Sequence, residues 1–122
     1  MGYNTDFDGQ VSVEPPLSAA QVASLQDFAE ERHGGATHPY AGFPGLNCKW
    51  EPTRDGAAIE WNGVEKFYNA PEWMQYIIDH FLTGHTVNGT IYASGEEAGD
   101  VWRLVVKDNV VSTQQARITY DS

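Results

Sequence analysis

Few side chains in this sequence have the means for covalent or metal chemistry, and their spacing decides what each can do. Cys48 is the one cysteine. A nucleophilic thiol needs a neighbouring base and a lowered pKa, but Cys48 alternates with Trp50 in a strand-like run, which marks an inward core thiol. A lone cysteine also excludes a disulfide within the chain, and with it a bridged secreted miniprotein. The four histidines form two pairs, His33/His38 and His80/His85, each five residues apart. Two rings on one helix face need three- or four-residue spacing. Both pairs therefore read as surface or cap histidines, with His33 suited to a helix C-terminus, where a cation is favoured.

Carboxylates are the commoner resource. Asp6 and Asp8, two apart on a strand, point to one side, as a hard-cation or paired-carboxylate site requires. No third carboxylate stands at a defined spacing, so a solvated strand face accounts for them. Glu96, Glu97 and Asp100 crowd a predicted hairpin tip and can clamp a basic side chain or a cation. The sequence contains no Gly-x-Ser-x-Gly elbow, and Gly34-Gly35 is followed by neither a lysine nor a helix, so no phosphate-binding loop is present. The expectation is a protein without catalytic residues, metal or cofactor.

Tyr40 and Phe43 are a different resource. They lie in the stretch His33 to Asn47, whose four glycines and two prolines suit neither helix nor strand. Loops longer than about 12 residues are often functional, and aromatic side chains with no periodic face to hide them are typical interface anchors. The binding residues expected from sequence are therefore Tyr40, Phe43, Glu96, Glu97 and Asp100.

What must position these residues is one domain. The 122 residues carry 41% hydrophobic and 20% charged side chains, with four Trp, six Tyr and five Phe. This is enough to bury about two thirds of the unfolded surface around a single core. Acids outnumber bases 17 to 7, for a formal net charge of −10. Seven scattered bases cannot form the stripe that neutralises phosphates, which argues against direct binding to nucleic acid or to anionic membranes. The acidity instead suits a basic protein partner. Met1 to Gln10 is polar and acidic, unlike a signal peptide, and no run of eighteen apolar residues predicts a membrane span.

Punctuation along the chain predicts its elements. Tyr3 to Val13 reads as a strand bent at Gly9 and ended by Pro15-Pro16. Ser18 and Gln21 form a capping box, with Leu17 stapled to Val22. Val22, Leu25, Phe28 and Ala29 then recur at helical spacing until Gly34. Cys48 to Tyr68 reads as a meander, with turns at Arg54-Asp55-Gly56 and Asn62-Gly63 and a short returning strand from Val64 to Phe67. Asn69 caps a second helix, with Pro71 and Glu72 in its first turn and Trp73, Met74, Ile77, Ile78, Phe81 and Leu82 on its apolar face. Gly84 ends it. Strands follow over Thr86–Ala93, Asp100–Lys107 and Val110–Tyr120. The order β-α-β-β-β-α-β-β-β predicts an α+β domain spanning residues 1–122. It has an antiparallel or mixed sheet of about six strands and two helices on one face.

Several of these segments resemble a family of small bacteriophage and prophage proteins. The likeness runs through Gly2-Tyr3-Asn4-Thr5-Asp6-Phe7, Trp50-Glu51-Pro52-Thr53, Ile59-Glu60-Trp61, Glu65-Lys66-Phe67-Tyr68, Glu72-Trp73, His80-Phe81-Leu82 and Val106-Lys107-Asp108-Asn109-Val110-Val111. It departs at His33 to Asn47, where similar proteins carry a longer insertion. The resemblance implies a phage or prophage setting in the bacterial cytoplasm and no catalysis. Together with the charge, it predicts an accessory protein that binds a host or phage protein. Three other readings remain: a DNA mimic, a nucleotide sponge and a minor virion component. An uncovered final strand also permits a homo-oligomer.

Overall fold

The capping box at the first helix forms as expected. The Ser18 amide donates to Gln21 Oε1 at 2.8 Å and the Gln21 amide to Ser18 Oγ at 3.2 Å, while Leu17 and Val22 are both buried. These contacts come from a computed structural model that describes residues 4–30, 48–64, 67–97 and 99–115. Its elements are β1 (Thr5–Glu14), α1 (Ala19–Glu30), β2 (Trp50–Pro52), β3 (Ala58–Trp61), α2 (Ala70–Phe81), β4 (Thr86–Gly95), β5 (Val101–Lys107) and β6 (Val110–Gln115).

The strands form one sheet in the order β2-β3-β1-β4-β5-β6, with every neighbouring pair antiparallel. The first strand of the chain is therefore central, flanked by β3 and by the whole length of β4. Elements β1 to β4 with their two helices form a split β-α-β arrangement of the ferredoxin-like kind. The β5 and β6 strands extend it as a meander beyond β4. Gly9, at φ 108°, departs from ordinary extended backbone while the ladder to β4 continues past it.

The structure corrects two local expectations. Val64 and Phe67 lie outside any strand. Asn62-Gly63 closes no hairpin, and residues 62–64 form neither turn nor strand; β3 already has β1 on one side and β2 on the other, so a returning strand has no edge to join. Local bonds replace the ladder: the Val64 amide donates to Asn62 Oδ1 at 2.9 Å, and the Trp61 indole donates to the Val64 carbonyl at 3.0 Å. Asn69 does occupy the cap position of α2, but at φ 59° and ψ 37°, with no side-chain cap bond. Side-chain capping needs a β-region backbone at that residue, and the left-handed conformation turns the amide away.

Both helices pack on the face of the sheet presented by Phe7, Val11, Val13, Val87, Ile91, Leu104 and Val106, which form one continuous core with them. Phe7 is its aromatic centre. Its ring lies 5.2 Å from Trp50, 5.5 Å from Trp61, 5.8 Å from Trp102 and 5.9 Å from Phe67, each edge to face, the favoured geometry for aromatic pairs. The fully buried Trp50 donates its indole N–H to the Ala70 carbonyl at 2.8 Å, tying β2 to the start of α2. Phe28 of α1 contacts Trp73, Tyr76 and Phe81 of α2, which locks the helices together.

Candidate functional site

Tyr40 and Phe43, with the pair His33/His38, lie outside the described residues. Cys48 is fully buried, and burial pushes its thiol up to about 12, so it is held protonated and inert. The other histidines go separate ways. His80 packs on the Tyr76 ring at 4.2 Å. His85 Nδ1 lies 2.6 Å from the Pro15 carbonyl and its Nε2 3.2 Å from Gln21 Nε2. A carbonyl only accepts, so Nδ1 carries the proton and Nε2 accepts from the Gln21 amide. His85 is thereby a tie between the two connections that flank α1 and β4. Among the described residues, no three of His, Cys, Asp and Glu converge as metal ligands.

The carboxylates are gathered more than the sequence suggested. Glu96, Glu97 and Asp100 stand at the β4–β5 tip, where the Gly95 amide donates to the Asp100 carbonyl at 2.8 Å and the Asp100 amide to the Glu97 carbonyl at 3.1 Å. Glu96 Oε1 also accepts from the Asn4 amide at 2.6 Å. Because Asp6 pairs with Ser94 and Asp8 with Tyr92, the acids of β1 share this end of the sheet.

Asp6 and Asp8 also belong to a larger surface, the face of the sheet opposite the helices. Strand parity places Glu14, Glu60 and Glu51 on the same side, across β1, β3 and β2. Glu51 stands directly opposite Glu60, and its carboxyl is raised first by partial burial, then by the charges of Glu60 and Glu30. The other half of the face is different. Tyr92 on β4, Val101 on β5 and Val110 on β6 are 55%, 42% and 64% exposed. Between them stand Lys107 and Arg103, the latter donating to Gln114 at 2.6 Å. No described element covers either half.

A concavity lies on the helix side, where α2 begins. It is a groove of about 310 Å³, floored by Phe7, Phe67 and the half-buried Trp102. Thr113 and Gln115 form one wall, and Asn69 to Glu72 form the other. Sequence reasoning missed it, although a signal exists. The helix-facing positions of β6 run Val111, Thr113, Gln115, turning polar where a sealed core would stay apolar. Further up, α2 does reach β6: Gln75 Nε2 donates to the Asn109 carbonyl and Gln75 Oε1 accepts from the Val111 amide, both at 2.9 Å.

Compared with protein families, curated proteins and solved structures, the chain matches none. Among the described residues, no helix is long and apolar enough to cross a membrane.

Proposed function

We propose that this protein works by docking onto another protein through the uncovered face of its sheet, as a non-enzymatic accessory factor. The resemblance noted above suggests a phage or prophage setting, with a host or phage protein as target. The observation that carries the reading is the joint exposure of Tyr92, Val101 and Val110 beside the acidic strands β1, β3 and β2. Exposed apolar side chains supply contact area, with Tyr as a rigid anchor. The acids supply steering: a net charge of −10 speeds encounter with a basic surface and disfavours acidic competitors. The target is accordingly a protein with a basic patch. Arg103 and Lys107 interrupt the negative charge of the same face, which counts against a continuous imitation of a phosphate backbone.

Affinity capture from bacterial lysate tests this. Tyr92→Glu, or Asp6→Lys combined with Asp8→Lys, should abolish recovery of the captured protein. Raising salt to about 0.5 M should weaken it, while Ser24→Glu on the exposed side of α1 should leave it intact. Capture indifferent to the sheet-face variants would remove the proposal.

A further inference from the structure

We infer that the edge of β6 turned away from β5 is a second docking site. It accepts an extended basic peptide as a seventh strand, with one long cationic side chain laid into the groove at the start of α2. This goes beyond the reading above, because the groove lies on the opposite side of the sheet. Strand order leaves β6 with β5 on one side and no described strand on the other.

The direction of its backbone groups follows from the hairpin. Asp108-Asn109 is a two-residue loop with both φ positive, closed by Lys107 opposite Val110. Such a loop makes the closing pair hydrogen-bonded and alternates thereafter. The main-chain groups of Val111, Thr113 and Gln115 then point away from β5. The Val111 amide confirms this parity, since it donates to Gln75 of α2. The helix thus blocks the upper part of the edge, leaving the stretch at Thr113 and Gln115 for a guest.

Register and chemistry then agree. Thr113 and Gln115, which offer those backbone groups, also turn their side chains to the groove. A strand added beside them sends every second side chain to the helix side. Two strand spacings, about 10 Å, separate the guest from β5, so only a long side chain reaches Trp102. Glu72 is the one charged residue of the lining, and an aromatic floor with a carboxylate at the rim favours a cation. The amide dipoles of the first turn oppose it with about half a unit charge, but Glu72 supplies a full unit of the opposite sign.

The test is fluorescence polarisation of the full chain with a labelled nonapeptide alternating threonine and arginine. The expected result is saturable binding, lost when alternate amides of the peptide are N-methylated or when its arginines become glutamates. Thr113→Pro should abolish binding without moving the melting temperature, because the amide it removes lies outside the β5–β6 ladder. Trp102→Phe should weaken binding about tenfold and Glu72→Gln about threefold, the latter modest because the carboxylate is exposed. Tyr92→Glu should change nothing, which separates this site from the open face. Absence of binding would overturn the inference. Binding that survives N-methylation or Thr113→Pro, or arginine methyl ester binding as tightly as the peptide, would overturn strand addition. Binding indifferent to both Glu72→Gln and Trp102→Phe would overturn the cage.

Discussion

The two faces of this sheet are made by the same strands, one residue out of step. On β1, Phe7 enters an aromatic cluster while its neighbours Asp6 and Asp8 stand in solvent. On β4, Ile91 and Ala93 are buried while Tyr92 between them is 55% exposed. The helix-side face is filled by rings and aliphatic groups from both helices. The other divides into an acidic half and a half that is apolar and basic. Stability therefore belongs to one side of the sheet, and the partner recognition proposed above falls largely to the other. Substitutions on the two sides should separate accordingly.

The largest loss is expected from Trp50→Ala, which takes a fully buried ring from beside Phe7 and Phe67 and removes the bond to Ala70. About 4 kcal/mol should be lost in urea titration. A loss below about 1 kcal/mol would show that the helix side does not hold the fold together.

Next comes alkali. The Cys48 thiol is raised from 9.0 to about 12 in the folded chain, so the folded form holds its proton more tightly than the unfolded form. The associated stability is complete below pH 9 and is lost as pH rises from 9 toward 12. It amounts to a few kcal/mol at the order-of-magnitude level. The wild-type minus Cys48→Ala difference in urea midpoint across that window reads it directly. The native thiol should also resist alkylation at pH 8 and react on unfolding.

Gly56→Ala should cost about 2 to 3 kcal/mol. The residue sits at φ +73°, and a Cβ there would lie 2.5 Å from the Leu17 carbonyl oxygen. Its own carbonyl also accepts from the Leu17 amide at 2.9 Å, holding the approach to α1 against the β2–β3 turn. Thermal melting measures the cost.

On the open face the effects should be small. Glu51→Gln should gain a few tenths of a kcal/mol at neutral pH by relieving repulsion from Glu60. Because the Glu51 carboxyl is raised in the fold, that gain should fade as acid protonates it. Tyr92→Ser should leave the melting temperature within error and affect only partner capture. A marked drop in stability would break the division between the faces.

Much of the architecture was legible because its signals are local. Ser18 with Gln21, Pro71 with Glu72, and the spacing of Trp73, Met74, Ile77 and Ile78 placed both helices. The alternation of Trp102, Leu104 and Val106 gave the inward face of β5. The central place of β1 was not legible, since pairing Thr5 with Gly95 depends on contacts remote in sequence. The Asn62-Gly63 signal misled for the same reason: it describes a turn but not whether an edge is vacant beside β3. At the candidate surfaces, the acids at the β4–β5 tip were found, but their proximity to Asp6 required the register. The groove was overlooked because Trp102 fits a core pattern. Only its cross-strand partner Gln115 and the neighbouring Thr113 show that the interior stops there.

The strand order also constrains the birth of the molecule. β1 emerges before both of its neighbours, β3 near residue 60 and β4 through Gly95. Until β4 leaves the ribosome, Phe7, Val11 and Val13 have no complete shelter, and ladder contacts so distant in sequence slow the final closure. Between the emergence of β1 and that of β4 the nascent chain thus carries a greasy strand uncovered, a window in which chaperones or premature self-association compete with folding.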